Sequence, residues 1–142
     1  MGTSFGEGTP LWEPSEELKQ HANITRYMQW LEREKGMRLS TPEALWAWSV
    51  SHLEDFWASL WDYYQIKASK PYATVLAERK MPDAHWFVGA ELNYTEHVFR
   101  HATASRPALL FQSERQPLTA VSWEELCQQV SLFANALRAI GV

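Results

Sequence analysis

Large apolar side chains recur at steps of three and one through Leu53, Phe56, Trp57, Leu60, Trp61 and Tyr64. That spacing returns each of them to one side of a 3.6-residue helix, so a helix with a wide aromatic face is predicted here. Ser51-His52-Leu53-Glu54 ahead of the run has the Ser-x-x-Glu form of a capping box, which places the start of the helix after Ser51. Burying each ring on such a face stabilises by roughly 1.5–3 kcal/mol, so the face is expected to dock on the body of its own protein. A membrane-surface helix is disfavoured, because the polar side shows Glu54, Asp55 and Asp62 where such helices carry Lys and Arg. A partner-binding or subunit face is the alternative.

The segment before this helix reads as helical too. Ser15 is placed to cap a short helix with Glu16 and Glu17 in its first turn. Asn23 is expected to cap a second, whose Ile24, Tyr27, Met28 and Leu31 share a face, and Gly36 to end it. Thr41-Pro42 is a cap followed by proline at the first helical position, opening a third helix through Leu45 and Trp48. Residues 1–10 are rich in Gly, Ser and Thr and are expected to be flexible.

A different pattern begins after a connector from Lys67 to Asp83. Trp86-Phe87-Val88 is a short apolar run closed by Gly89. Asn93, with Glu96 three residues later, opens a helix expected to reach Ala104. Arg106-Pro107 breaks it. Ala108-Leu109-Leu110-Phe111 then reads as a buried strand, Gln112 to Gln116 as a turn, and Thr119-Ala120-Val121 as the return arm of a hairpin. Ser122-Trp123-Glu124-Glu125 is a further capping box, leading a helix with Leu126, Val130, Phe133, Ala134 and Leu137 on one face and an end at Gly141. Helix, hairpin, helix is the opening of an architecture, since a hairpin alone is marginal and its edges attract partners. The chain ends where an α/β protein places its next strand, which is read as a truncation. The fold class expected is therefore an α+β fragment, mostly helical, with self-association through the hairpin edge.

Composition narrows function by exclusion. A net charge of −4 over 142 residues, with no basic stripe, argues against nucleic acid as a partner. Cys127 is the single cysteine, so neither a disulfide framework nor a zinc spacing exists. The N-terminus has no apolar leader and no run reaches membrane-spanning length, so a cytoplasmic chain without membrane contact is expected. His97 and His101 lie four apart, a ligand-pair spacing, yet no third ligand is identifiable and the solvated-face reading is preferred. Cys127 reads as packing. His21, His52 and His85 have no spacing relation to a partner. The adjacent acids Glu54-Asp55 and Glu124-Glu125 are explained by first-turn positions. No GxGxxG or GxxxxGK[ST] loop occurs. No catalytic, cofactor-binding or metal residue is therefore assigned.

The run from Trp86 to Glu96 (Trp-Phe-Val-Gly-Ala-Glu-Leu-Asn-Tyr-Thr-Glu) resembles a signature near the start of acyl- and acetyl-CoA synthetases of the adenylate-forming superfamily. Pro107-Ala108-Leu109, Val121-Ser122-Trp123-Glu124-Glu125-Leu126, Ala134-Asn135-Ala136-Leu137 and Gly141-Val142 follow in that family's order. Upstream, Leu11-Trp12-Glu13-Pro14-Ser15, Ile24 to Met28, Leu45 to Val50 and Phe56-Trp57 are similar to its acetoacetate–CoA ligase branch.

The resemblance implies a ligase that uses ATP and Mg²⁺ to convert a carboxylate to an acyl-adenylate with release of pyrophosphate. The acyl group then passes to the thiol of coenzyme A. The family's phosphate loop, its nucleotide-binding residues and its catalytic lysine come later than Val142, so this segment is expected to be structural, inactive alone and without cofactors of its own. Residues 11–83 would form the helical N-terminal region. Residues 84–142 would start a truncated AMP-binding domain, the opening helix–hairpin–helix of a larger α/β unit whose remainder would be the partner. An acetate or propionate ligase, and a stand-alone interaction module using the Trp-rich helix, are the competing readings.

Overall fold

A computed structural model describes Gly6, Gly8 and residues 12–142. The expected flexible stretch 1–10 and Leu11 lie, Gly6 and Gly8 apart, outside the described residues. The architecture is α+β and mostly helical. Its chain groups into two compact units, Met1–Ile66 with Val75–Trp86, and Lys67–Thr74 with Phe87–Val142.

Four helices make the first unit: α1 (Glu16–His21), α2 (Asn23–Lys35), α3 (Pro42–Ser51) and α4 (Leu53–Tyr63). The Ser15 side chain accepts from the Leu18 amide and Thr41 from the Ala44 amide, as the caps predict. Gly36 ends α2 in the left-handed region at φ 65°, where a residue without Cβ carries no steric penalty. Two expected caps are absent. Asn23 is the first helical residue of α2, with Ala22 at the cap position and no side-chain bond there. The Thr25 hydroxyl instead donates to the Lys19 carbonyl at the end of α1 (2.6 Å). Ser51 is the last residue of α3, its Oγ bonded back to the carbonyls of Ala47 (2.7 Å) and Trp48 (3.2 Å). Back-bonding of this kind occupies the hydroxyl that the capping box required. His52 therefore joins α3 to α4 with no side-chain cap.

The core sits where α2, α3 and α4 meet. Leu31 is fully buried, Tyr27 and Leu45 nearly so, and Met28, Trp30, Leu39, Trp48, Phe56, Leu60 and Tyr63 pack around them. Tyr27 stands at the centre of a ring cluster, 5.1 Å from Tyr63, 6.2 Å from Trp30 and 6.3 Å from Phe56 between centroids. The predicted aromatic face of α4 is rotated in the structure. Phe56, Ser59, Leu60 and Tyr63 turn toward the core, while Tyr64 is 60 % exposed. Ser59 explains the turn. Its Oγ donates to the Phe56 carbonyl (2.7 Å), which leaves the Tyr27 phenol as donor to Ser59 Oγ (2.5 Å). A buried hydroxyl pair satisfied this way can sit inside an apolar cluster at little cost.

The Lys67–Asp83 connector holds an element that the sequence reading lacks. Strand β1 (Thr74–Leu76) pairs with β2 (Trp86–Val88). Three residues are too few for alternation to be legible. The Val75–Trp86 part of this ribbon belongs to the first unit, where Leu76 is buried and the Trp86 ring lies 5.3 Å from Trp57.

In the second unit α5 (Tyr94–Phe99) starts at Asn93, whose side chain accepts from the Thr95 amide. It is shorter than expected. The Arg100 amide bonds to the His97 and Val98 carbonyls, tightening the last turn, and the stretch to Ala104 is not helical. Strands β3 (Leu109–Ser113) and β4 (Gln116–Val121) form the predicted antiparallel hairpin, with Leu109 opposite Val121 and Phe111 opposite Thr119. Its turn is tighter than expected, with Glu114 and Arg115 at the tip. Helix α6 (Trp123–Ala139) carries the full capping box of Ser122 and Glu125. The buried side chains among the described residues, Tyr27, Leu31, Leu45, Ser59 and Leu76, all lie in the first unit.

Candidate functional site

Each sequence-level candidate can be followed to its place. His97 is on α5, but His101 falls beyond the helix end at Phe99, so the pair does not share a helical face. The His97 Nε2 lies 3.1 Å from the Lys67 amide and 3.2 Å from the Lys67 carbonyl, and Arg100 contacts Nδ1 at 3.2 Å. That ring ties the start of the second unit to α5. The Lys67 ammonium reaches Glu96 at 3.4 Å beside it. Among the described residues no group of three or more His, Cys, Asp or Glu side chains could hold a metal ion. Cys127, expected in packing, is exposed on α6.

The adjacent acids have separate partners. Glu54 is clamped by the Arg79 guanidinium, with Nε 3.1 Å from Oε1 and a second nitrogen on Oε2. The Arg79 hydrogen bonds hold the Glu54 carboxyl below the usual carboxylate range. Glu125 accepts from the Ser122 amide (2.8 Å) and hydroxyl (2.9 Å), and the Ser122 Oγ accepts in turn from the Glu125 amide (3.1 Å). Those bonds lower its pKa as well, the backbone one most. Neither carboxylate is poised as a proton donor. Burial raises the Tyr27 phenol above its ordinary value, only partly offset by Ser59, so it stays neutral and structural.

A cleft of about 620 Å³ in the second unit lies between the loop around Arg106 and the start of α6. Ser122 and Glu125 on its wall are engaged in the helix cap, and the Trp123 ring packs edge-on to Phe99 at 6.0 Å. The one hydroxyl–carboxylate contact described in its lining, Ser122 Oγ to Glu125 at 2.9 Å, is the helix cap itself. The residues the sequence reading missed, Arg79 and Lys67, hold distant parts of the chain together. Their bonds to Glu54 and His97 span 25 and 30 positions, a separation that no local pattern encodes.

Residues 43–98 match the family described as the acetyl-coenzyme A synthetase N-terminus. The match covers α3, α4, the β1–β2 ribbon and most of α5. Acetoacetyl-CoA synthetase from Streptomyces lividans superposes with a TM-score of 0.83 and is 42 % identical, over 94 % of this chain and 21 % of that one. The chain matches the N-terminal region of acetoacetyl-CoA synthetases. Curated acetoacetyl-CoA synthetases of Gallus gallus and Rattus norvegicus are 34 % and 36 % identical over 96 % and 93 % of this chain. The chain spans about a fifth of the length of these relatives, 20 % of each.

The segments that carry the resemblance have identifiable physical jobs. Trp86–Val88 is β2, Gly89 turns the chain at φ 84°, and Asn93 caps α5. Ser122 to Leu126 joins the hairpin to α6 through the capping box. No helix among the described residues is long and apolar enough to cross a membrane.

Proposed function

We propose that this chain is the structural N-terminal region of an AMP-forming acetoacetate–CoA ligase and contributes no reacting group. The whole enzyme would convert acetoacetate, ATP and coenzyme A to acetoacetyl-CoA, AMP and pyrophosphate, in the cytoplasm. The observation that carries this reading is the likeness to the Streptomyces lividans synthetase, 42 % identical across 94 % of this chain.

The chemistry requires a phosphate cradle and a site for Mg²⁺, and the described residues do not fit either. The Ser122–Glu125 cap, the Glu54–Arg79 clamp and the Lys67–Glu96–His97 group are each closed on themselves. No step at ATP, Mg²⁺ or coenzyme A is therefore assigned to this chain. Its role is architectural. The helical unit supplies a packed body, and the hairpin and α6 offer apolar surface for the remainder of an adenylation domain, with residues 84–142 as that domain's start.

Two measurements test the proposal. Incubating the chain with ATP, Mg²⁺ and acetoacetate is expected to yield no adenylate and no pyrophosphate; product formation would overturn the structural role. A ligase containing this region is expected to release pyrophosphate faster with acetoacetate than with acetate, and the reverse order would overturn the substrate.

A further inference from the structure

Both ring nitrogens of His97 meet partners inside the second unit, and those partners make competing demands on the ring proton. The ring is half-buried on α5. Its Nε2 lies 3.1 Å from the Lys67 amide nitrogen and 3.2 Å from the Lys67 carbonyl oxygen, while the Arg100 guanidinium stands 3.2 Å from Nδ1. A guanidinium has donors and no acceptor, so its bond to Nδ1 needs the lone pair there. The single proton of the neutral ring is then on Nε2 and is donated to the Lys67 carbonyl. The opposite tautomer lets Nε2 accept from the Lys67 amide but turns an N–H toward Arg100. The first arrangement makes both contacts, the second only one.

The charged groups around the ring are the Arg100 guanidinium, the Lys67 ammonium and the Glu96 carboxylate, the last two 3.4 Å apart. Farther along the Lys67 segment, Lys70 pairs with Glu91 at 3.4 Å. That segment does not depend on the ring alone, because the Ser69 and Lys70 amides bond to the Glu91 carbonyl at 2.8 and 3.3 Å.

We propose that His97 is a proton-operated switch on Arg100. The neutral ring holds the guanidinium at Nδ1. When the ring takes a second proton from solvent, the Nδ1 lone pair becomes an N–H bond and the Arg100 hydrogen bond breaks, leaving two positive groups face to face. The Nε2–H bond to the Lys67 carbonyl is kept and becomes charge-assisted. Protonation therefore turns Arg100 away from the ring and leaves α5 tied to Lys67. Imidazole is the side chain that ordinarily changes charge between about pH 5 and pH 8, so the switch operates while Arg100, Lys67 and Glu96 stay charged.

Heteronuclear NMR of the full 142-residue chain, with His97 and Arg100 assigned through the backbone, tests the proposal. At about pH 8, where imidazole is ordinarily neutral, the His97 proton is expected on Nε2; a proton on Nδ1 overturns the switch. On acidification the Arg100 Nε resonance is expected to move in step with the His97 ring. That response is read in the unsubstituted chain, so it does not depend on any variant folding. In His97→Gln it is expected to disappear. An Arg100 resonance that ignores the ring, or that still responds in His97→Gln, overturns the proposal. Arg100→Met, at an exposed side chain, is expected to lower the ratio of the Nε2–H to the Nδ1–H tautomer about 5- to 10-fold, the weight of one hydrogen bond. An unchanged ratio overturns the role of Arg100. The protection factor of the Ser69 amide is expected to stay constant across the same range. Its loss would show the whole Lys67–Lys70 segment detaching and overturn a switch confined to Arg100.

Discussion

The first unit closes its aromatic residues around one another, whereas the second leaves comparable apolar residues in water. Tyr27, Trp30, Phe56 and Tyr63 lie within ring-contact distance about a fully buried Leu31. Phe111 and Phe133, of similar size, are 53 % and 68 % exposed on a hairpin and helix with better local signals than α2 or α4. Strong caps and clear periodicity therefore do not imply a core. What separates the units is the number of amphipathic faces. The first brings three helices to one point, while the second has a hairpin and a long helix whose apolar sides remain unmatched.

The difference can be broken or sharpened by substitution, and the largest effect is at its centre. Leu31→Ala is expected to cost about 2–5 kcal/mol in chemical denaturation, because it opens a cavity in a filled core. Phe133→Ala, on the bare face of α6, is expected to stay within about 0.5 kcal/mol. Equal losses at both sites would erase the contrast. Next is capping. Ser122→Ala removes the hydroxyl half of a working capping box, leaving the backbone amide at 122 bonded to Glu125, and should cost about 0.5–2 kcal/mol, read as faster amide exchange through the first turn of α6. Ser51→Ala is expected to have almost no effect on α4, because that hydroxyl bonds back into α3.

A smaller change tests the hydroxyl pair within the core. Tyr27→Phe removes the bond to Ser59 but leaves Ser59 bonded to the Phe56 carbonyl, so a loss of about 0.5–1.5 kcal/mol is expected from thermal melts. The smallest expected effects are those of pH. Glu54 and Glu125 have lowered folded values, so their contributions are present above the ordinary carboxylate value of 4.5 and are lost as pH falls through the folded ones. Tyr27 is raised, so its contribution is present below 10.0 and is lost as pH rises through the folded value. Melts across this range are expected to show a weak acid arm that Arg79→Met reduces in the first unit and Glu125→Gln in the second. Tyr27→Phe should reduce the alkaline arm, to which Lys19, also raised by its bond to Glu16, contributes as well.

Much of the fold was legible because it is local. Ser15, Thr41, Asn93 and the Ser122–Glu125 box act within four residues of themselves, and the structure uses each as the pattern implies. The failures share a cause as well. Ser51 and Asn23 have the right residue type in the right place, but a competing bond or a neighbouring helix end decided otherwise. Strand β1 was invisible because its partner β2 is about ten residues away and both are three residues long. At the candidate site the His97–His101 spacing was correct on paper and irrelevant once α5 ended at Phe99.

By itself the sequence determined which segments are helical, where the hairpin turns, and the resemblance to adenylate-forming synthetases, because each depends on neighbours in the chain. Only the tertiary structure decided which side of α4 faces inward, that Arg79 clamps Glu54, and that Cys127 and the β3–α6 surface stay exposed. Periodicity marks a face as apolar, but cover for that face must come from elsewhere in space. In the first unit α2, α3 and α4 supply it to one another. In the second, β3 and α6 carry faces for which the described residues provide no match.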